Sequence, residues 1–147
     1  MTLTELLEKH EGRKRKPYKC PAGFKTIGVG WNLEANPLPA RIAEYLKENG
    51  EITEEMIDTL LEASIIVARN DCKSLFPEFN KFSKSRKMAL IDFVFQLGRK
   101  RASRFVRAVA AINTGRWEDA AKEMGNSSWY KQTPTRAEEI IEMIEGG

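Results

Sequence analysis

The chain has few of the residues that would build a stapled or metal-held protein. Only two cysteines occur, Cys20 and Cys72, which is too few for a disulfide framework. Cys72 falls on the stripe Leu61, Ile65, Ala68, Cys72 and Leu75, where a small thiol serves as a buried hydrophobe. Cys20 instead sits on a turn between Lys19 and Pro21. The single histidine, His10, cannot make a zinc site with its neighbours, so no metal or cofactor is expected. No stretch approaches the ~20 apolar residues of a membrane span, and stable membrane insertion is not expected. The first residues are charged and capped, with no apolar run, so no signal peptide is expected either. Internal repeats, low-complexity tracts and a P-loop are all missing.

What is there is an ordinary globular composition. The 147 residues suit one domain, 41% of them are hydrophobic, and the net charge is +3. The positive charge is uneven. Arg13, Lys14, Arg15, Lys16, Lys19 and Lys25 form one group; Arg99, Lys100, Arg101, Arg104 and Arg107 form another. Such runs serve as solvated faces or attract anionic polymers, among which bacterial cell wall, outer-membrane lipid and nucleic acid qualify. A monomer is expected.

The stretch Glu11–Leu33, EGRKRKPYKCPAGFKTIGVGWNL, carries the most chemistry. Leu3, Leu6, Leu7 and His10 repeat at helical spacing ahead of it, and Thr2-x-x-Glu5 is a capping box. Gly12 is the stop signal. Glu11 therefore occupies the last turn, about 40° around the helix from Leu7. The edge of an apolar face and the negative end of the helix dipole both favour a carboxyl that keeps its proton, as a general acid must. Cys20-Pro21-Ala22-Gly23-Phe24 then reads as a hairpin with a three-residue loop. That loop pairs Cys20 with Phe24 and Tyr18 with Thr26, so Tyr18, Cys20 and Thr26 share a face. Gly28 and Gly30 bare the following strand for a close approach by a ligand.

Farther along, Arg41–Asn49 reads as a short helix ended by Gly50, and Thr53 caps a long one running to about Leu75. Its middle, Ala63–Ala68, is apolar all round and is expected to be covered on several sides. Ser83–Leu97 is a central buried helix, with Asp92 a paired polar residue on its thin exposed edge or a rival acid. Shorter helices follow over Ser103–Ile112 and Arg116–Met124. A second capping box, Thr135-x-x-Glu138, is expected to open a last helix with the face Ile140, Ile141 and Ile144.

These residues resemble the phage-type lysozymes (endolysins, glycoside hydrolase family 24). The likeness rests on Glu11, eight residues, Cys20, five residues, Thr26, with the TIGVG run, and resumes in SKSRKMALIDFVFQLG, WEDAA and SWYKQTPTRA. Glu34–Asn80 resembles the family loosely. The resemblance implies an α+β fold: a β-hairpin lobe over 12–52, a connecting helix over 53–76, and a helical lobe over 77–147 that includes 1–11. It implies a muramidase acting on peptidoglycan, waiting in the host cytoplasm until a holin opens the inner membrane. Glu11 matches the family's general acid and Arg136 an arginine that ion-pairs with it. Phe95, Gln96, Gly30 and Asn32 match residues of the substrate groove. Cys20 stands where the best-known relatives carry an aspartate that, with the threonine matched by Thr26, holds the attacking water. Three roles are open to it: a thiol or thiolate orienting water, a covalent nucleophile, or a spectator. Trp31 departs from the family's usual histidine, which removes a stabilising histidine–acid pair. For Trp129 and Tyr130, core packing competes with sugar stacking. Rival readings are a lytic transglycosylase using Glu11 alone and a catalytically weak wall-binding module. A nucleic-acid binder has no need of the glycines and the lone acid, so nucleic acid is not expected as a partner.

Overall fold

A computed structural model describes all residues, Met1 to Gly147. It has eight α-helices, one 3-10 turn and a three-stranded antiparallel sheet, an α+β lysozyme-like fold. Backbone packing divides the chain into two compact units, Met1–Ile66 and Val67–Gly147.

In the first unit, helix α1 (Leu3–Glu11) opens on the expected capping box. Thr2 Oγ1 accepts from Glu5 N at 3.1 Å, and Glu5 Oε1 accepts from Thr2 N at 3.0 Å. Leu6 and Leu7 on its inner face are fully buried. Gly12 ends it with φ 79° and ψ 178°, backbone that only glycine adopts cheaply. Strands β1 (Lys14–Lys19), β2 (Lys25–Gly28) and β3 (Trp31–Asn32) follow in spatial order β1-β2-β3. The register pairs Tyr18 with Thr26 and Lys19 with Lys25, and Cys20 N donates to Phe24 O at 2.9 Å. The loop is the expected one, with Gly23 at φ 89°.

One reading needs correcting. Gly28 and Gly30 do not bare a continuing strand: β2 stops at Gly28, and Val29-Gly30 turns the chain into β3, both glycines at positive φ. Helix α2 (Ala40–Asn49) ends at Gly50 in the left-handed conformation, as the glycine predicts. Arg13 ties this unit together, its guanidinium reaching Glu8 at 3.3 Å, Glu54 at 3.5 Å and Asp58 at 2.9 Å.

Helix α3 (Glu54–Leu75) starts where Thr53 Oγ1 accepts from Met56 N at 3.1 Å. Its stripe Leu61, Ala68 and Cys72 is buried, but its middle is not covered all round. Ile66 and Val67 are 54% and 60% exposed, because a helix buries only the stripe that meets a neighbour.

The second unit is helical. Helix α4 (Lys84–Ser103), capped by Ser83, is interrupted at Gly98, whose φ 79° and ψ 158° end the regular part where the sequence ends it. Helix α4 packs on α8 (Pro134–Gly146); α6 (Trp117–Gly125) packs on α8 and on α5 (Val106–Asn113). A short α7 (Ser128–Gln132), capped by Ser127, lies between α6 and α8. The second capping box does not form. Helix α8 begins at Pro134, whose fixed φ suits the first helical position, leaving Thr135 inside the helix. Ile140 and Ile144 are buried on its inner face.

Candidate active site

Glu11 is placed by three local devices. It is the last residue of α1, and the turn at Gly12 swings the chain from it into β1. The Tyr18 hydroxyl donates to the Glu11 main-chain carbonyl at 3.2 Å, satisfying one of the acceptors that a helix end leaves open. Gly30 supplies the third. A Cβ there would lie 3.0 Å from Glu11 Cδ and 3.2 Å from Oε1. The missing side chain thus admits the carboxyl of Glu11 rather than a ligand. The close approach expected at Gly30 is there, but it is made by Glu11 and not by the ligand that the sequence suggested.

Cys20 and Thr26 meet at the hairpin end. Thr26 is 3% exposed and its hydroxyl donates to Phe24 O at 2.9 Å. Cys20 is half-buried, and Gly23 N donates to its carbonyl at 2.8 Å. Burial works against ionisation of its thiol. The N–H groups of Phe24, Ala22 and Gly23, with the Thr26 hydroxyl, outweigh that and hold it below the usual thiol value. Tyr18 stands close to both acids: burial, then negative charge at Glu11 and at Cys20, pushes its phenol up. Glu11, Tyr18, Cys20 and Thr26 therefore form one constellation on the first unit. The sequence puts Tyr18 on this face without assigning it a role. Its pairing with Thr26 was the available signal.

Asn32, on β3, uses its side-chain oxygen locally, accepting from Glu34 N at 2.9 Å and Ala35 N at 3.0 Å. Its amide nitrogen is not held in those bonds. Trp31 donates Nε1 to Asn36 O at 3.1 Å.

In the second unit, Phe95 and Gln96 are half-buried on α4. Gln96 Oε1 accepts from Trp129 Nε1 at 2.9 Å. Trp129 is 3% exposed and meets Phe93 edge-on, centroids 5.0 Å apart, so it is a core residue. Tyr130 OH donates to Glu138 at 2.5 Å. Asp92 is not on an exposed edge. It is fully buried, and its Oδ1 lies 2.9 Å from Nε of Arg136, which enters from the first turns of α8. No group of three or more histidine, cysteine or acidic side chains could hold a metal.

The sequence is similar to known proteins along nearly its whole length. The phage lysozyme family profile matches residues 8–141. The chain is 32% identical to a probable T4-type lysozyme 2 of Dictyostelium discoideum, over 99% of this chain and 95% of the relative. It is 32% identical to the pre-baseplate central spike protein Gp5 of Enterobacteria phage T4, over 100% of this chain but 28% of that protein. A more distant relative is peptidoglycan hydrolase gp36 of Pseudomonas phage phiKMV, 25% identical over 94% of this chain and 14% of its own length.

Proposed function

The chain belongs to the phage lysozyme family and is a glycoside hydrolase; from that premise we propose that it cleaves the β-1,4 bond between N-acetylmuramic acid and N-acetylglucosamine in peptidoglycan. Glu11 is the general acid that protonates the leaving oxygen. The observation that carries the assignment is the seating of its carboxyl against the bare Cα of Gly30, on a helix end held by Tyr18, the strand partner of Thr26.

The Thr26 hydroxyl, which turns its one proton to Phe24 O or to the Cys20 sulfur, keeps lone pairs that accept a hydrogen bond from water. Cys20, ionising more readily than an ordinary thiol, is the base that takes the one proton this water loses as it attacks. Water held by these two groups attacks the anomeric carbon as Glu11 releases the other sugar, and the configuration inverts. The lowered thiol also favours a second reading. Cys20 Sγ attacks the anomeric carbon, the glycosidic oxygen leaves with the Glu11 proton, and water later cleaves the thioglycoside with retention.

Saccharide contacts are assigned to the backbone of Gly30 and to Asn32, Phe95 and Gln96. Arg136, oriented by Asp92, is assigned the support of the acid. The biological role is host lysis by a monomer held in the cytoplasm until a holin admits it to the wall.

Glu11→Gln tests the acid. Wall clearing should fall on the order of a thousandfold with the melting temperature held, since general acids contribute about that factor. Retained activity removes Glu11. Mass spectrometry of digested peptidoglycan should show reducing N-acetylmuramic ends, and anhydro-muramyl ends would assign a lytic transglycosylase instead.

A further inference from the structure

The cations after Gly98 are not used by the site described above. Arg99, Lys100, Arg101, Arg104 and Arg107 are all exposed, and none forms an ion pair within the chain. Exposed basic residues elsewhere do find acids, as Arg116 finds Asp119 at 3.1 Å and Lys81 finds Glu78 at 2.9 Å. The break between Ser103 and Val106 brings the end of α4 and the start of α5 to one open hollow. Arg101, Arg104 and Arg107 line that hollow, about 550 Å³ in volume. Phe105 and the edge of Trp129 also line it, and Glu123 is the one carboxylate on its wall.

At the rim stands Val106, 70% exposed and flanked in sequence by Phe105 and Arg107. It is the most exposed of the large apolar side chains in the chain. A valine held out among unpaired arginines has no use in water. It suits a boundary where phosphates give way to hydrocarbon.

We propose that this face docks on an anionic phospholipid surface, with Arg101, Arg104 and Arg107 meeting lipid phosphates and Val106 dipping below them. A nucleic acid offers the same phosphates, but strand binding draws on exposed aromatic faces. Here Trp129 is buried and Phe105 half-buried. The docking is shallow, reversible and weakened by salt, with no helix long and apolar enough to cross the membrane. It does not depend on the hydrolase reading.

The test is co-sedimentation of the full chain with vesicles of phosphatidylcholine alone or mixed with phosphatidylglycerol, at low and high salt. The chain should pellet only with the anionic vesicles and only at low salt. Each arginine near such a surface is worth about a fivefold change in binding, so R101Q/R104Q/R107Q should lose on the order of a hundredfold. Val106→Ser, which keeps every charge, should lose several-fold. Both variants should clear lipid-free peptidoglycan as the parent does and keep its melting temperature, since all four positions are exposed or at a rim. Equal pelleting with phosphatidylcholine overturns the proposal. So does wild-type binding by the triple variant, which would place the contact on the hairpin lysines. Tighter retention of a DNA duplex than of vesicles, lost in the triple variant, reassigns the face to nucleic acid.

Discussion

A methyl group at position 30 would lie 3.0 Å from the carboxyl carbon of Glu11. Nine in ten real Cβ contacts are looser than that, so Glu11 would have to give way, and Gly30 and Glu11 are matched as a cavity and its occupant. Gly30→Ala adds that clash to the strain of a φ of 68°. Gly50, at φ 74° with nothing within 4 Å of a built Cβ, isolates the strain alone. Both alanine variants should lose about 1 kcal/mol of stability from backbone strain. Only Gly30→Ala should also lose at least about tenfold in wall-clearing rate, as expected for a small misplacement of a reacting group. Thermal melts and turbidity assays on the pair decide it.

Tyr18→Phe removes the hydroxyl that holds the end of α1. About 1 kcal/mol of stability should go with the bond. Because it anchors main chain beside the acid, kcat should fall while KM for cell-wall fragments holds. A change confined to KM would make Tyr18 a saccharide contact.

The thiol at Cys20 should report its own environment. Alkylation by iodoacetamide should reach half its maximal rate at a pH below the ordinary thiol value of about 8.5. Thr26→Val removes a hydroxyl that favours the thiolate and should move that midpoint up. Cys20→Ser and Cys20→Asp, with NMR of the first anomer released, separate the mechanisms. Inversion retained in Cys20→Asp and in the parent supports water attack, whereas inversion in the variant against retention in the parent supports the thioglycoside.

Cys72 predicts alkaline behaviour. Burial pushes its thiol up to about 12. The unfolded chain loses that proton near pH 8.5 while the folded chain keeps it, so stability should fall as pH rises between those values. The slope from this one group approaches about 1.4 kcal/mol per pH unit. In Cys72→Ala the absolute stability drops, but this share of the slope vanishes, which urea titrations at several pH values will register.

Asp92 and Arg136 make a buried pair at 2.9 Å. Asp92→Ala leaves a guanidinium with one fewer charge partner in a desolvated place and should cost about 3 kcal/mol. Chemical denaturation measures it.

Much of this is legible in the chain because helix ends and hairpins are written in local chemistry. Thr2 with Glu5, Thr53, Ser83, Gly50, Gly98 and the Pro21–Gly23 loop all act within a few residues of themselves, and each works as its residue type predicts. What needed the fold was nonlocal or competitive. Thr135 had the capping pattern, but Pro134 took the first helical position and shut it out. Ile66 and Val67 are apolar enough for a core, yet no neighbour covers them. That Asp92 meets Arg136, or that Glu11 fills the space at Gly30, depends on residues far apart in the chain that no spacing rule connects.

Helix α3 runs unbroken through the point where packing divides the chain, between Ile66 and Val67. There is no loop to cut. Severing the chain there would orphan the hydrogen bonds of a full helical turn on each side. The Val67–Leu75 remnant would be too short to hold a helix by itself, since isolated segments under ~12 residues barely form. A recombinant version of this enzyme divided at that point should therefore lose the C-terminal part of α3, and a graft should carry that helix whole.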